Sequence, residues 1–270
     1  MRRVLVLGDA DRPLAAAIAA RLSRGGLEVM GPFDLEGPVE AVDAAIEAVE
    51  AVDAAIEAAA AVDAAVRAAG AVDAAIEAWP GEPGRQRRAL RLLDAALPDG
   101  APILACCHAA TATALAAGLD HPERLVGYGL LPPAEGRATV ECARGLATGD
   151  GAADAAARLW AAAGLEVVWV ADSPGLVTAR IVACLANEAT YALLERTATA
   201  ADIDRAMMLG TRYPRGPLAW ANLVGVGEVV ATLDALAAEA GPERYRASPL
   251  LRRLAAAGRQ AIEGVPGEGS

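Results

Sequence analysis

Short apolar runs alternate with alanine-rich amphipathic stretches through the first two-thirds of the chain. From Ser173 onward the pattern is helical almost to the end. Residues 3–8 carry Val-Leu-Val-Leu and stop at Gly8, which predicts a strand buried on both faces of a parallel sheet. Residues 14–22 read as a helix closed by Gly25-Gly26, and residues 27–30 as a second strand. The same alternation continues with helices over 85–97, 111–119 and 152–163. Strands are expected over 102–107, 125–131, 138–143 and 166–171. Such an order predicts an α/β fold: a Rossmann-like domain built on a parallel sheet over residues 1–172, then an all-α C-terminal domain over 173–270.

One region breaks the alternation. Ala-Val-Asp-Ala-Ala-Ile-Glu-Ala occurs at Ala41, Ala51 and Ala71, with the variant Ala-Val-Asp-Ala-Ala-Val-Arg-Ala at Ala61. A two-residue period puts Val42 and Ile46 on one face and Asp43 and Glu47 on the other; a helical reading groups Val42, Ile46 and Val49. Alanine content favours helix for residues 38–69, and the last copy, 72–79, is read as strand.

Composition narrows the function classes. The net charge of −11 argues against nucleic acid and anionic membrane as partners. Every basic side chain is arginine, so no lysine is present to form a Schiff base or clamp a phosphate. No apolar run approaches membrane-spanning length, and Gly8 and Asp9 interrupt the first one too early for a secretory signal. The four cysteines, Cys106, Cys107, Cys142 and Cys184, form no C-x-x-C pair. They are expected to be reduced, as in a cytoplasmic protein, with no metal bound.

The segment 173–225 carries the most specific signal. It runs Ser-Pro-Gly, a long apolar helix with Arg180, Asn187 and Glu188, then Asp202-Ile203-Asp204, Ala206-Met207, Gly210, Pro214 and Gly216-Pro217-Leu218. In that order these residues resemble the C-terminal helical domain of the 3-hydroxyacyl-CoA dehydrogenases. The resemblance implies NAD as cofactor, an acyl-CoA substrate and a homodimer formed through residues 173–270. It also places the copy at 72–79 on the strand leading to the nicotinamide.

Against that family the chemistry-bearing positions differ. The phosphate loop should read G-x-G-x-x-G, because bare glycines let a diphosphate approach a helix N-terminus. Here it reads Gly8-Asp9-Ala10-Asp11-Arg12-Pro13. Gly8 and Arg12 are the residues left to hold the cofactor, with Asp34 the acidic residue for a ribose. The resemblance implies a histidine that takes the substrate hydroxyl proton and a glutamate that orients it. Glu141 matches the glutamate, and the histidine position is Gly129. The serine position is Ala109 and the asparagine position Ala179. His108, expected at the carboxyl end of a parallel strand, is the candidate replacement base, with Glu141 as its partner. The bland alternatives are a loop histidine, and a Glu141 that pairs with an arginine or faces water. His121 and Tyr128 are expected to be a surface residue and a core residue.

The resulting expectation is a family member whose NAD-dependent oxidation of 3-hydroxyacyl-CoA is weak or lost. The alternatives are a non-catalytic dimer-forming partner, and another NAD(P)-dependent hydroxyacid dehydrogenase with altered donors.

Overall fold

A computed structural model describes residues 3–8, 13–33, 72–81, 83–134, 136–259 and 261–262. The decapeptide copies at 41–70, Asp9, Asp11, Arg12 and Asp34 lie outside the described residues. Seven strands form one sheet: β1 Arg3–Leu7, β2 Glu28–Phe33, β3 Ala74–Glu77, β4 Ile103–Cys106, β5 Leu125–Gly129, β6 Thr139–Ala143 and β7 Glu166–Val170. Their order is β2-β1-β3-β4-β5-β6-β7. The inner strands β3, β4 and β5 are buried at every position, as their apolar sequences require. The last decapeptide copy therefore supplies a central strand, paired in parallel with both β1 and β4.

The sheet departs from the expected parallel arrangement at one end. β5 and β6 are antiparallel, while β6 and β7 are parallel. The link from β5 to β6 is too short to hold a crossover helix, so the chain turns back on itself. β2 runs on to Phe33 through Gly31 and Pro32. It is an edge strand, where a proline costs no ladder bond, and its register to β1 shifts between Leu5 and Leu7.

Helices α1 Pro13–Arg24, α2 Pro83–Ala96, α3 Ala112–Ala116 and α4 Asp150–Ala162 belong to the sheet half. α1 and α4 meet at their C-terminal ends. A Cβ on Gly25 would lie 2.1 Å from the Ala162 carbonyl oxygen. Beside this approach the Arg21 guanidinium donates to the carbonyls of Ala163, Gly164, Ala134 and Arg137 at 2.8–3.0 Å. A cation is thus placed at a helix C-terminus, where carbonyls lack partners.

The helical half contains α5 Thr178–Leu194, α6 Ala200–Thr211, α7 Pro217–Val224, α8 Val226–Ala240, α9 Pro242–Tyr245 and α10 Pro249–Ala256. Its core joins Val182, Ala186 and Leu193 of α5 to Leu218 and Ala221 of α7, Leu233 of α8 and Leu251 of α10. The string of residues from Asp202 to Leu218 that carries the family resemblance has a direct physical reading. Asp204 accepts the Leu218 and Ala219 backbone N–H groups at 2.8 and 2.9 Å, closing the N-terminus of α7. Gly216 is bare because a Cβ there would sit 2.2 Å from the Asp204 Cγ. Pro217 opens α7 at a position whose N–H has no helical partner. Asn187 works likewise: it donates to the Arg246 carbonyl at 3.0 Å and accepts the Ser248 N–H at 2.8 Å, tying α5 to the start of α10.

Asp204→Ala is expected to destabilise the chain by about 1–3 kcal/mol, the usual cost of removing a charged cap. Gly216→Ala should cost a similar amount in the natural chain, since it displaces the same carboxylate. In the Asp204→Ala background it should cost little. Urea denaturation of the two single variants and the double variant checks this; additive losses would refute the shared cause.

Candidate active site

The carboxyl ends of β1, β3, β4 and β5, facing the start of α5, bring together most of the residues singled out by the sequence. β5 places Gly129 opposite Glu141 of the antiparallel β6. A Cβ on Gly129 would stand 3.5 Å from Glu141 Oε2 and 3.0 Å from Leu176 Cδ1. The fold therefore preserves the juxtaposition of the two positions, but one of them has no side chain. The Leu176 side chain lies against the gap.

Glu141 neither pairs with an arginine in a salt bridge nor simply faces water. Its carboxylate accepts the Val177 N–H at 3.0 Å and the Thr178 N–H at 3.0 and 3.1 Å, and the Thr178 hydroxyl donates to Oε1. These groups form the first turn of α5, where N–H groups have no helical acceptor and the helix dipole favours a negative charge. Glu141 is thus the cap that joins β6 to the first helix of the helical half. Arg180 donates to Ser173 Oγ and to the Tyr245 hydroxyl, a structural bond at the same junction. Ala109 and Ala179 are both buried and offer no polar atom.

His108 follows β4 and is 1% exposed. Among the described residues neither ring nitrogen has a hydrogen-bond partner, and no hydrogen bond joins it to Glu141. Burial lowers its pKa from 6.5 to about 4, so the ring is neutral at physiological pH. His121, by contrast, is half-exposed beside the buried Asp94–Arg124 pair. Tyr128 is fully buried, with its hydroxyl on the Glu77 carbonyl at 2.9 Å.

Glu77 was not singled out by the sequence reading. It ends β3 with no exposed surface, and its carboxylate accepts the backbone N–H groups of Trp79 and Cys106 and the Gln86 side-chain amide. Burial pushes its pKa up to about 7 against the opposing pull of these hydrogen bonds and of Arg85. An acidic residue inside a strand buried on both faces was the available signal.

A doubly wound sheet takes a dinucleotide in the crevice beyond β1 and β3. Gly8 lies there. A Cβ on it would meet Ala15 Cβ at 2.8 Å and the Ala78 carbonyl at 3.1 Å, so the glycine lets β1, α1 and β3 close together. Arg12 and Asp34 fall outside the described residues. Among the described residues no three His, Cys, Asp or Glu side chains converge on a metal position. Cys106, Cys107 and Cys142 are buried free thiols, and Cys184 is half-buried.

A dinucleotide-type sheet followed by this helical bundle defines an oxidoreductase architecture. The NAD binding domain of the 3-hydroxyacyl-CoA dehydrogenases matches residues 34–173 and their C-terminal domain matches residues 175–264, so the chain belongs to that family. A probable 3-hydroxybutyryl-CoA dehydrogenase from Bacillus subtilis is 36% identical over 54% of this chain and 51% of its own length. A 3-hydroxybutyryl-CoA dehydrogenase from Bradyrhizobium diazoefficiens is 32% identical over 64% of this chain and 59% of its own length. The matched region thus spans between half and three-fifths of these relatives. The crystal structure of (S)-3-hydroxybutyryl-CoA dehydrogenase PaaH1 from Ralstonia eutropha superposes with a TM-score of 0.71 at 28% identity, covering 97% of this chain and 95% of that one.

The two buried titrating groups have opposite effects on stability. Glu77 holds its proton more tightly folded than unfolded, so its contribution is fullest below its ordinary 4.5 and is lost as pH rises through about 7. His108 holds its proton less tightly folded, so its contribution is fullest above 6.5 and is lost as pH falls through about 4. Each change amounts to about 3 kcal/mol, and between pH 4.5 and 6.5 they nearly cancel. Relative to the natural chain, Glu77→Gln should gain stability as pH rises and His108→Ala should lose it. Chemical denaturation at stepped pH measures both; parallel profiles would show that neither group titrates as described.

Proposed function

We propose that this chain is a 3-hydroxyacyl-CoA dehydrogenase-family protein in which hydride transfer is weak or lost. The observation that carries this reading is the pair Gly129 and Glu141. In the family reaction a base takes the hydroxyl proton as hydride leaves for the nicotinamide. Gly129 has no base, and Glu141 is engaged by the N-terminus of α5. NAD, when bound, would accept the hydride. Gly8 is the described residue beside which it would lie, and Arg12 and Asp34 are the further contacts proposed for it. Asp9 and Asp11 oppose a diphosphate, and like charges at close range repel more strongly as water is excluded. The names of the relatives support an acyl-CoA as substrate. Buried free thiols support a reducing, cytoplasmic setting.

Turnover of acetoacetyl-CoA with NADH should lie at least about a hundredfold below that of an intact family member, because a general base alone contributes about 10²–10⁴-fold. Gly129→His should not restore it, since Leu176 lies against the slot, Glu141 is held by Val177 and Thr178, and the phosphate loop is altered. Calorimetric titration should find no micromolar NADH binding. Brisk oxidation of NADH by the natural chain would refute the reading.

A second reading, a dimer-forming partner, is supported by the helical half. α6 buries no residue and exposes Met208 and Leu209, while Val177 and Ile181 are exposed at the start of α5. Such a surface suits a second copy of the chain, across residues 173–270, better than water. Light scattering at micromolar concentration should give a dimer mass, and Leu209→Glu should shift it toward monomer. A natural chain that is monomeric would overturn this arrangement.

A further inference from the structure

His108 poses a problem that the weak-enzyme reading does not resolve. It is nearly inaccessible, yet among the described residues neither ring nitrogen has a partner. Buried polar groups are almost always hydrogen-bonded, and an orphaned N–H is the costlier of the two defects in a neutral imidazole. The ring lies immediately past β4, at the sheet edge where ligands of this architecture sit. On one side is β3, ending in Glu77; on the other is β5, ending in Gly129. The next residue, Ala109, occupies the position from which the family's serine would reach the substrate oxygen. No described carboxylate bonds to the ring: Glu77 and Glu141 are each held by backbone N–H groups.

We propose that His108 is a neutral hydrogen-bond donor of the binding site, which engages a carbonyl oxygen of a keto-acyl thioester in place of the missing serine. It is not a base, and it does not act with Glu141. A ring kept neutral can offer an N–H to a carbonyl throughout the physiological range, whereas a titrating base would couple binding to pH. The proposal rests on the acyl-CoA reading above, but it requires neither NAD nor turnover.

The chain has only two histidines, so nitrogen-15 spectra of histidine-labelled protein resolve both rings, with the half-exposed His121 as internal control. His121 should remain unmoved when acetoacetyl-CoA is added, while the protonated nitrogen of His108 should shift. His108→Ala should weaken acetoacetyl-CoA binding at least about tenfold by calorimetry, the loss of roughly one hydrogen bond to a buried group. His108→Gln, which keeps an N–H without titrating, should recover part of it. The natural chain's affinity should be the same at pH 6 and pH 8. Tight binding with an unmoved His108 resonance, or with affinity unchanged in His108→Ala, would overturn the role of His108 and leave the acyl-CoA reading intact. A doubly protonated His108 ring at pH 7 would do the same. Absence of any acetoacetyl-CoA binding would overturn both.

Discussion

Helix N-termini closed by carboxylates from distant parts of the chain hold this molecule together. Glu141 on β6 closes α5, Asp172 after β7 closes α3, and Asp204 on α6 closes α7. Each places a negative charge where several N–H groups would otherwise lack acceptors, and each ties two elements that the chain separates. Asp172 receives the Ala112 and Thr113 N–H groups and the Thr113 hydroxyl at 2.7–2.9 Å, fixing the segment that follows His108. Glu141 faces a position without a side chain, Gly129, and its anchoring role needs a carboxylate but no neighbouring base.

This arrangement separates two kinds of similarity to the family. Residues that resemble it most closely, Asn187, Asp204, Gly216 and Pro217, bond helix ends or clear space for those bonds. The resemblance sets the positions where the family does chemistry at Gly129, Ala109 and Ala179. The bonds at helix ends and the positions matched to the family's chemistry thus fall on different residues.

Much of the fold was legible because its causes are local. Short apolar runs marked the strands, the first of them ended by Gly8, and the last decapeptide copy was read as the strand that became β3. The antiparallel β6 was not legible, since strand direction depends on what the connecting segment can hold rather than on the strand's own pattern. Of the site, the sequence shows which residues stand at 129 and 141, and the structure sets them opposite each other across β5 and β6. The engagements of Glu141 and Glu77 were not: they depend on Val177, Thr178 and Cys106, which come near only after folding. The isolation of His108 is likewise a property of its surroundings.

The remote caps also impose an order on folding during synthesis. Glu141 leaves the ribosome 37 residues before Thr178, so the cap of α5 is made before the helix that it closes. α3 has the opposite fate: its partner Asp172 follows about 60 residues later. The bonds that hold the segment after β4, which carries His108, to Asp172 can therefore form only once β7 has been made.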